Sequence, residues 1–475
     1  MTKRKNGADI GVYGLGTMGS ALALNFADHG FEVAVSNKEP DWIAPFVENA
    51  GPLAKRLSGH ASLADFVAAI ARPRSILFMI PSGFPMDAMI DAILPLLDKG
   101  DTIVDGGNAD FNATRRRSAA VAETGCHFVG MGVSGGAEGA RHGPSMMVGG
   151  TRQSWDQLRP MVEAVAATFE GDPCVDHLGP DGAGHFVKTV HNGIEYADMQ
   201  MIAEVYGILR DVCGQTAPEI GALFESWQTG PLSSYLIEVS AAALQTMDGD
   251  TDQPLVDMIL DKAGQKGTGF WTLIEALKLG QSASVIEAAV GARGWSSEKA
   301  TRQAAEALLI SAAQKADTPD PDDLQNALLA ARILGHAQGF RVLSAASGEF
   351  DWQLDMARIS EIWRAGCIIR SALLDDFAAA FRSKLPEDEL ILAPTIRTML
   401  DGSIGALRRV VAAAVLSGVA VPSLSASLSW YDTMRRARGT ANLIQAQRDF
   451  FGSHGFERTD MDGAHHGDWN DVAKP

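Results

Sequence analysis

The chain has 475 residues, 40 Lys and Arg against 58 Asp and Glu, a formal net charge of −18 and 46% hydrophobic residues. That length implies about three domains or fewer, larger ones, and the apolar fraction excludes global disorder. The charge argues against binding nucleic acid or an anionic membrane, which need a basic face, but leaves room for an anionic small ligand in a locally basic pocket.

The start, Met1-Thr2-Lys3-Arg4-Lys5, is basic, but Asn6-Gly7-Ala8-Asp9 follows where a signal peptide needs its apolar core. Ile10–Tyr13 then reads as a buried strand, followed by a glycine turn and a helix carrying Ala21, Leu22, Leu24 and Phe26. Phe31–Val35, Ser75–Ile80 and Thr102–Asp105 read as further strands. Apolar strands separated by helices predict βαβ units and a parallel sheet, hence an α/β Rossmann-type domain over 1–181. Beyond it, Val187, Val190, Ile194, Ile202, Val205 and Leu209 recur at three- and four-residue spacings. They predict one helix from Gly184 to about Cys213, about 45 Å long. The remainder is helical in pattern, with Thr318-Pro319-Asp320-Pro321 capping the next helix. A large all-α domain over 182–440 and a C-terminal tail over 441–475 are expected. From Ala464 the tail shows little periodicity, and His465-His466 reads as solvated.

Cys126, Cys174, Cys213 and Cys367 stand far apart without a C-x-x-C pair, which predicts packing residues in a reducing compartment, no disulfide framework and no zinc site. The longest uncharged stretch, Val410 to Tyr431, contains Pro422 and five serines and is too polar and broken for a membrane span. A soluble cytoplasmic protein without a metal site is expected.

Gly14-Leu15-Gly16-Thr17-Met18-Gly19 lies between strand and helix. There the glycines permit a tight turn, backbone approach to a pyrophosphate and close helix packing, while the helix start offers N–H groups. Dinucleotide binding follows. Asn37-Lys38-Glu39 ends the second strand. Asn37 can hydrogen-bond to a ribose and Lys38 suits a 2′-phosphate, whereas an inward Glu39 would repel it. NADP is favoured, and NAD stays open.

On the long helix Lys188, Asn192 and Glu195 share one face at i, i+4 and i+7, bordered by His191 and preceded by Gly182-Ala183-Gly184. An exposed stripe would show the same spacing, but the glycines leave room for a ligand at the helix start. Two further glycine clusters suit anions through backbone N–H groups and a hydroxyl. One is Ser134-Gly135-Gly136 with its flanks, the other Gly264-Gln265-Lys266-Gly267-Thr268-Gly269. Each is also compatible with a loop of unusual dihedral angles.

Ordered strings across nearly the whole chain carry a closer resemblance. They include Asp105-Gly106-Gly107-Asn108, Val133-Ser134-Gly135-Gly136, Gly182 to Lys188, His191 to Tyr196 and Gly264 to Gly269. Ile362-Trp363-Arg364 with Gly366 to Arg370, and Ala441 to Asp449, continue the series. Together they resemble the decarboxylating 6-phosphogluconate dehydrogenases.

The resemblance implies a homodimer whose tail reaches into the other subunit. It also implies oxidative decarboxylation of 6-phosphogluconate to ribulose 5-phosphate with NADP, a step of the pentose phosphate pathway. By the same likeness Lys188 and Glu195 are the acid–base pair. Asn108, Ser134, Gly135, Gly136, His191 and Asn192 hold the sugar acid. Tyr196, Lys266, Thr268 and Arg293 hold the phosphate, with Arg448 and His454 of the partner's tail. Gly14 to Gly19, Asn37, Lys38, Glu39, Ile80, Pro81, Ser82 and Asn108 face the cofactor.

The departures lie on the cofactor side. Asn37-Lys38-Glu39 replaces the family's Asn-Arg-Thr, Ile80-Pro81-Ser82-Gly83 its Val-Lys-Ala-Gly, and Gly16 its usual alanine. Lysine lacks arginine's planar fork, which weakens the expected grip on a 2′-phosphate. Two other readings are a β-hydroxyacid dehydrogenase acting on a different aldonic or hydroxy acid and a non-catalytic dinucleotide-binding protein. Retention of both Lys188 and Glu195 speaks against the second.

Overall fold

The computed structural model describes residues 7–265 and 267–469. It forms two compact units, Met1–Ser427 and Leu428–Pro475. In the first, an eight-stranded sheet is built from β1 (Ile10–Tyr13), β2 (Val33–Ser36), β3 (Leu57–Gly59), β4 (Ser75–Phe78), β5 (Thr102–Asp105), β6 (His127–Ser134), β7 (Ser145–Gly149) and β10 (Val175–Gly179). Between β7 and β10, β8 (Thr168–Phe169) and β9 (Asp172–Pro173) form a separate hairpin. The sheet order is β10-β7-β6-β5-β4-β1-β2-β3. It is α/β as expected, but not wholly parallel: β7 runs antiparallel to β6, with Met131 opposite Val148, and β10 follows β7. The continuous apolar run Ser145–Gly149 is buried on both faces, and burial of that kind fixes a strand without fixing its direction.

Order reverses at β1, whose neighbours are β4 and β2. In open α/β sheets the crevice beyond the carboxyl ends at such a switch point receives the ligand. The glycine turn after β1, Asn37–Glu39 after β2, Ile80–Gly83 after β4 and Gly106–Asn108 after β5 all stand along that edge. Helix α1 (Thr17–Asp28) leaves the glycine turn, and α2 (Gly136–His142) follows β6.

The helical part begins with α3 (Ala183–Asp211), 29 residues long, two short at its C-terminus of the sequence expectation. Val187, Val190, Ile194, Val205 and Ile208 on it are fully buried. Helix α4 (Thr268–Lys278) packs on α3, where the Thr272 hydroxyl donates to Thr189 O at 2.8 Å. Helix α5 (Pro321–Glu349) starts as the Pro-rich loop implies, the Asp320 carboxylate accepting from Asp323 N at 2.7 Å. Arg332 of α5 and Asp198 of α3, both essentially buried, pair at 2.9 Å and tie the two long helices together. Helix α6 (Pro394–Leu416) packs along α5. The uncharged stretch after Val410 is split between this helix and another starting at Pro422, so it is no continuous span. Among the described residues no helix is long and apolar enough to cross a membrane.

The second unit contains α7 (Ala441–Gly452) and a two-stranded antiparallel sheet of β11 (Phe456–Glu457) and β12 (Ala464–His465). The irregular stretch expected from Ala464 therefore opens with a paired strand. His466 is not simply solvated either, since its Nδ1 lies 2.8 Å from an Asp449 carboxylate oxygen.

Candidate active site

At the sheet edge, the glycine turn has the shape its sequence demands. Gly14 takes φ +101°, and a Cβ at Gly19 would sit 1.8 Å from Gly14 O, so α1 can start this close to the strand only without a side chain. Gly16 caps α1 without a side-chain acceptor. Gly16 and Thr17 are exposed, Met18 half-buried. The first-turn N–H groups thus carry no side-chain partner, and the site fits a pyrophosphate. A Cβ at Gly16 meets nothing within 4 Å, so the family's alanine would fit there equally well.

Asn37 is committed to protein partners. Its Oδ1 accepts from Leu15 N at 2.8 Å, and its Nδ2 donates to the Glu39 carboxylate at 3.1 Å. These bonds make Asn37 a brace on the turn. Burial raises the Tyr13 phenol at the end of β1, helped by the Glu39 charge. Lys38 is exposed. The loop Ile80-Pro81-Ser82 and Asn108 are half-buried to exposed along the same edge.

Beneath that edge lies a network that sequence reasoning missed. The Arg117 guanidinium, buried, donates to Gly83 O at 2.9 Å, to Asp87 Oδ1 at 2.9 Å and to Asp105 Oδ2 at 3.4 Å. His185 Nε2 donates to Asp105 O at 3.1 Å, and its Nδ1 accepts from the Thr114 hydroxyl at 2.7 Å. The arginine thus ties the loop after β4 to the end of β5, and the histidine ties the end of β5 to α3.

Lys188, His191 and Asn192 are all buried, and Glu195 is half-buried. The Lys188 stem crosses β6 at Gly132, where a Cβ would come within 2.3 Å of Lys188 Cβ. Only glycine lets the helix lie this close, and no pattern in the sequence marked that glycine. His191 Nε2 accepts from the Ser134 hydroxyl at 3.2 Å. Its Nδ1 donates to Asn192 Oδ1 at 3.1 Å and lies 3.4 Å from Lys188 Nζ. Glu195 Oε2 stands 3.8 Å from the same Nδ1. Burial pushes His191 well below the usual imidazole range, helped by the Lys188 charge, so this last approach is no ion pair.

Burial lowers Lys188, against the pull of Glu195, and raises Glu195, against the pull of Lys188 and Arg293. Both shifts favour the neutral forms, an amine that can accept a proton and an acid that can give one. The wall behind His191 is the Trp363 ring, edge-on at 5.5 Å, with the Cys367 thiol donating to Trp363 O at 3.0 Å. Cys126, Cys174 and Cys367 are buried and Cys213 half-buried, all free.

Ser134 ends β6, and Gly135, at φ +116°, turns the chain into α2 beside Gly136. The Arg293 guanidinium stacks 3.5 Å from the Tyr196 ring centroid and donates to Gly264 O at 3.2 Å. Thr268, buried, opens α4. Lys266 lies outside the described residues. Arg448 and His454 belong to the second unit, both exposed there. Among the described residues no group of three or more His, Cys, Asp or Glu side chains could hold a metal ion.

Both parts of the chain have counterparts among known proteins. Residues 9–179 match the NAD binding domain of 6-phosphogluconate dehydrogenase, and residues 184–469 match its C-terminal domain. The NADP(+)-dependent decarboxylating 6-phosphogluconate dehydrogenase of Bacillus subtilis is 45% identical, over 97% of this chain and 98% of its own. The NAD(+)-dependent decarboxylating enzyme of the same organism is 42% identical, over 97% and 99%. The Plasmodium falciparum 6-phosphogluconate dehydrogenase, solved in its apo form and with NADP+ or 6-phosphogluconate, superposes with a TM-score of 0.91 at 37% identity, over 97% and 100% of the two chains. A likeness this deep, spanning both the sheet and the helices, makes the chain a member of the 6-phosphogluconate dehydrogenase family.

Proposed function

We propose that this chain oxidises 6-phosphogluconate to ribulose 5-phosphate and CO2, with NADP as oxidant. The observation that carries the reading is the shared face of α3. Lys188 and Glu195, both biased to neutral forms, stand with His191 and Asn192 beside Ser134. The assay is reduced-nicotinamide absorbance with 6-phosphogluconate, run in parallel with NADP and NAD. Signal with the phosphorylated acid and little with gluconate supports the reading, whereas no signal with either dinucleotide contradicts it.

The bound nicotinamide supplies the hydride acceptor. Neutral Lys188 takes the C3 hydroxyl proton as that carbon is oxidised. The resulting ketone is β to the carboxylate and is itself the electron sink for loss of CO2. Lys188, now protonated, stabilises the enolate oxygen. Glu195 then gives its proton to C1 of the enediol. Ser134, His191 and Asn192 orient the sugar acid, Asn108 serves the substrate and cofactor side, and Gly135 and Gly136 offer backbone to the carboxylate. Arg293, Tyr196, Thr268 and Lys266 take the phosphate side, together with the partner tail's Arg448 and His454. The corresponding organisation is a dinucleotide domain over 1–181, a substrate and dimer domain over 182–440 and a tail over 441–475. Exposed Leu443, Ile444, Phe450 and Phe451 on α7 support a tail that packs on a second copy.

These roles set a pH profile. Activity requires Lys188 unprotonated and Glu195 protonated, so turnover falls at both acid and alkaline pH. Glu195→Gln removes the group that must stay protonated. It is expected to lower kcat about a hundredfold or more and to abolish the alkaline fall while the acid-side rise remains. A retained alkaline limb would remove Glu195 from the proton transfer.

Glu39 favours NAD as a second oxidant, because its carboxylate is held by Asn37 at the end of β2, where it repels a 2′-phosphate. Glu39→Thr is expected to raise the NADP-to-NAD ratio of kcat/KM by about tenfold, as one nearby like charge is removed. An unchanged ratio would show that this carboxylate does not face the ribose.

A further inference from the structure

The second unit has almost no apolar core along α7, where the buried side chain is a carboxylate, Asp449, 2% exposed. It accepts four hydrogen bonds, each 2.8 Å long. Oδ1 takes Gly455 N and His466 Nδ1, and Oδ2 takes Gly467 N and Trp469 Nε1. The donors come from two places, the turn that follows α7 and the strand exit after β12. These bonds, the Gly467 N–H foremost, hold the carboxyl far below its usual range.

The turn it grips carries His454. Ser453, at φ +50°, donates its N–H to Asp449 O at 2.9 Å, while Gly455 on the other side is held by the carboxylate. Gln445 Nε2 closes the same turn by donating to Gly455 O at 2.5 Å, and its Oε1 accepts from Arg448 Nη1 at 3.1 Å. The His454 ring rests edge-on against Phe451, with centroids 6.1 Å apart. Arg448 precedes Asp449 directly in the chain.

We infer that Asp449 is a positioning residue: its carboxylate fixes the turn that sets His454 relative to Arg448, so that the two act together on a phosphomonoester. The inference rests on the reading of Arg448 and His454 as phosphate-side residues. It also gives a task to His466, whose exposed imidazole is one of the four donors.

The test compares full-length variants with 6-phosphogluconate and with gluconate. Asp449→Asn places an amide N–H against backbone donors. It is expected to raise KM for 6-phosphogluconate about tenfold or more, since bonds to a charged group are lost. The change in kcat should be far smaller, KM for the dinucleotide unchanged, and turnover of gluconate unaffected. His466→Ala and Trp469→Phe each remove one donor and leave the carboxylate. They should shift the same KM in the same direction by less, and they decide the matter if Asp449→Asn does not fold. Arg448→Ala separates the two layers of argument. If it leaves KM for 6-phosphogluconate unchanged, the phosphate reading fails. If it raises that KM while folded Asp449→Asn, or the two donor variants, do not, the positioning inference fails. Equal losses with both sugar acids would likewise overturn it, marking Asp449 as a structural residue only.

Discussion

Lys188→Ala is expected to lower turnover of 6-phosphogluconate by about a thousandfold or more, with dinucleotide affinity within about twofold of the parent. A positioned general base is worth about two to four powers of ten, and the same amine also stabilises the enolate oxygen. Among the described residues His191 is a poor substitute: burial pushes it well below the usual imidazole range and makes it a weak base, its Nε2 is engaged by Ser134 and its Nδ1 by Asn192. Dinucleotide affinity survives because the glycine turn is braced by Asn37 and β1, not by α3. Steady-state turnover and a dinucleotide titration check the two halves. Near-normal turnover would remove Lys188 from the chemistry, and lost dinucleotide affinity would mean the helix shapes the cofactor crevice.

Mixed dimers give the second large effect. At 6-phosphogluconate well below the raised KM of Arg448→Ala, the Arg448→Ala and Lys188→Ala homodimers are each expected to be nearly inactive. After dissociation and random reassociation, about half the dimers are mixed, and a C2 arrangement gives each mixed dimer one site with both residues intact. That site pairs the body of the Arg448→Ala subunit with the tail of the other. About a quarter of wild-type activity should return. No recovery would mean each tail serves its own subunit, and an active Arg448→Ala homodimer would mean that Arg448 takes no part in the site.

How far the sequence could be read is clearest at particular residues. The bounds of β1 and β5 are legible because short, largely buried runs end at glycine turns. The long helix is legible because apolar spacing sustained from Val187 to Leu209, about six turns, outweighs any local ambiguity. β6 was not, since Gly130 and Gly132 interrupt its apolar run, and their purpose is visible only when His185 and Lys188 lie against them. The direction of β7 carries no one-dimensional signature. In the site, Lys188, His191, Asn192 and Glu195 could be grouped because one helix carries them. Trp363 and Cys367 stand about 170 residues further on and enter the wall through packing alone. Asn37 is legible as a hydrogen-bonding residue, but its bond to Leu15 N, 22 positions away, depends on the turn's folded shape. Asp449 stands in the sequence only as the end of a motif, and its four donors arrive from residues 455 to 469.

The most direct test of the whole account is the stoichiometry of the reaction with 6-phosphogluconate. Reduced dinucleotide and trapped CO2 are measured in the same sample, with NADP and again with NAD. The paired action of Lys188 and Glu195 requires one CO2 released for each dinucleotide reduced. Reduced dinucleotide without CO2 would contradict it, placing the chain among dehydrogenases that stop at the keto acid.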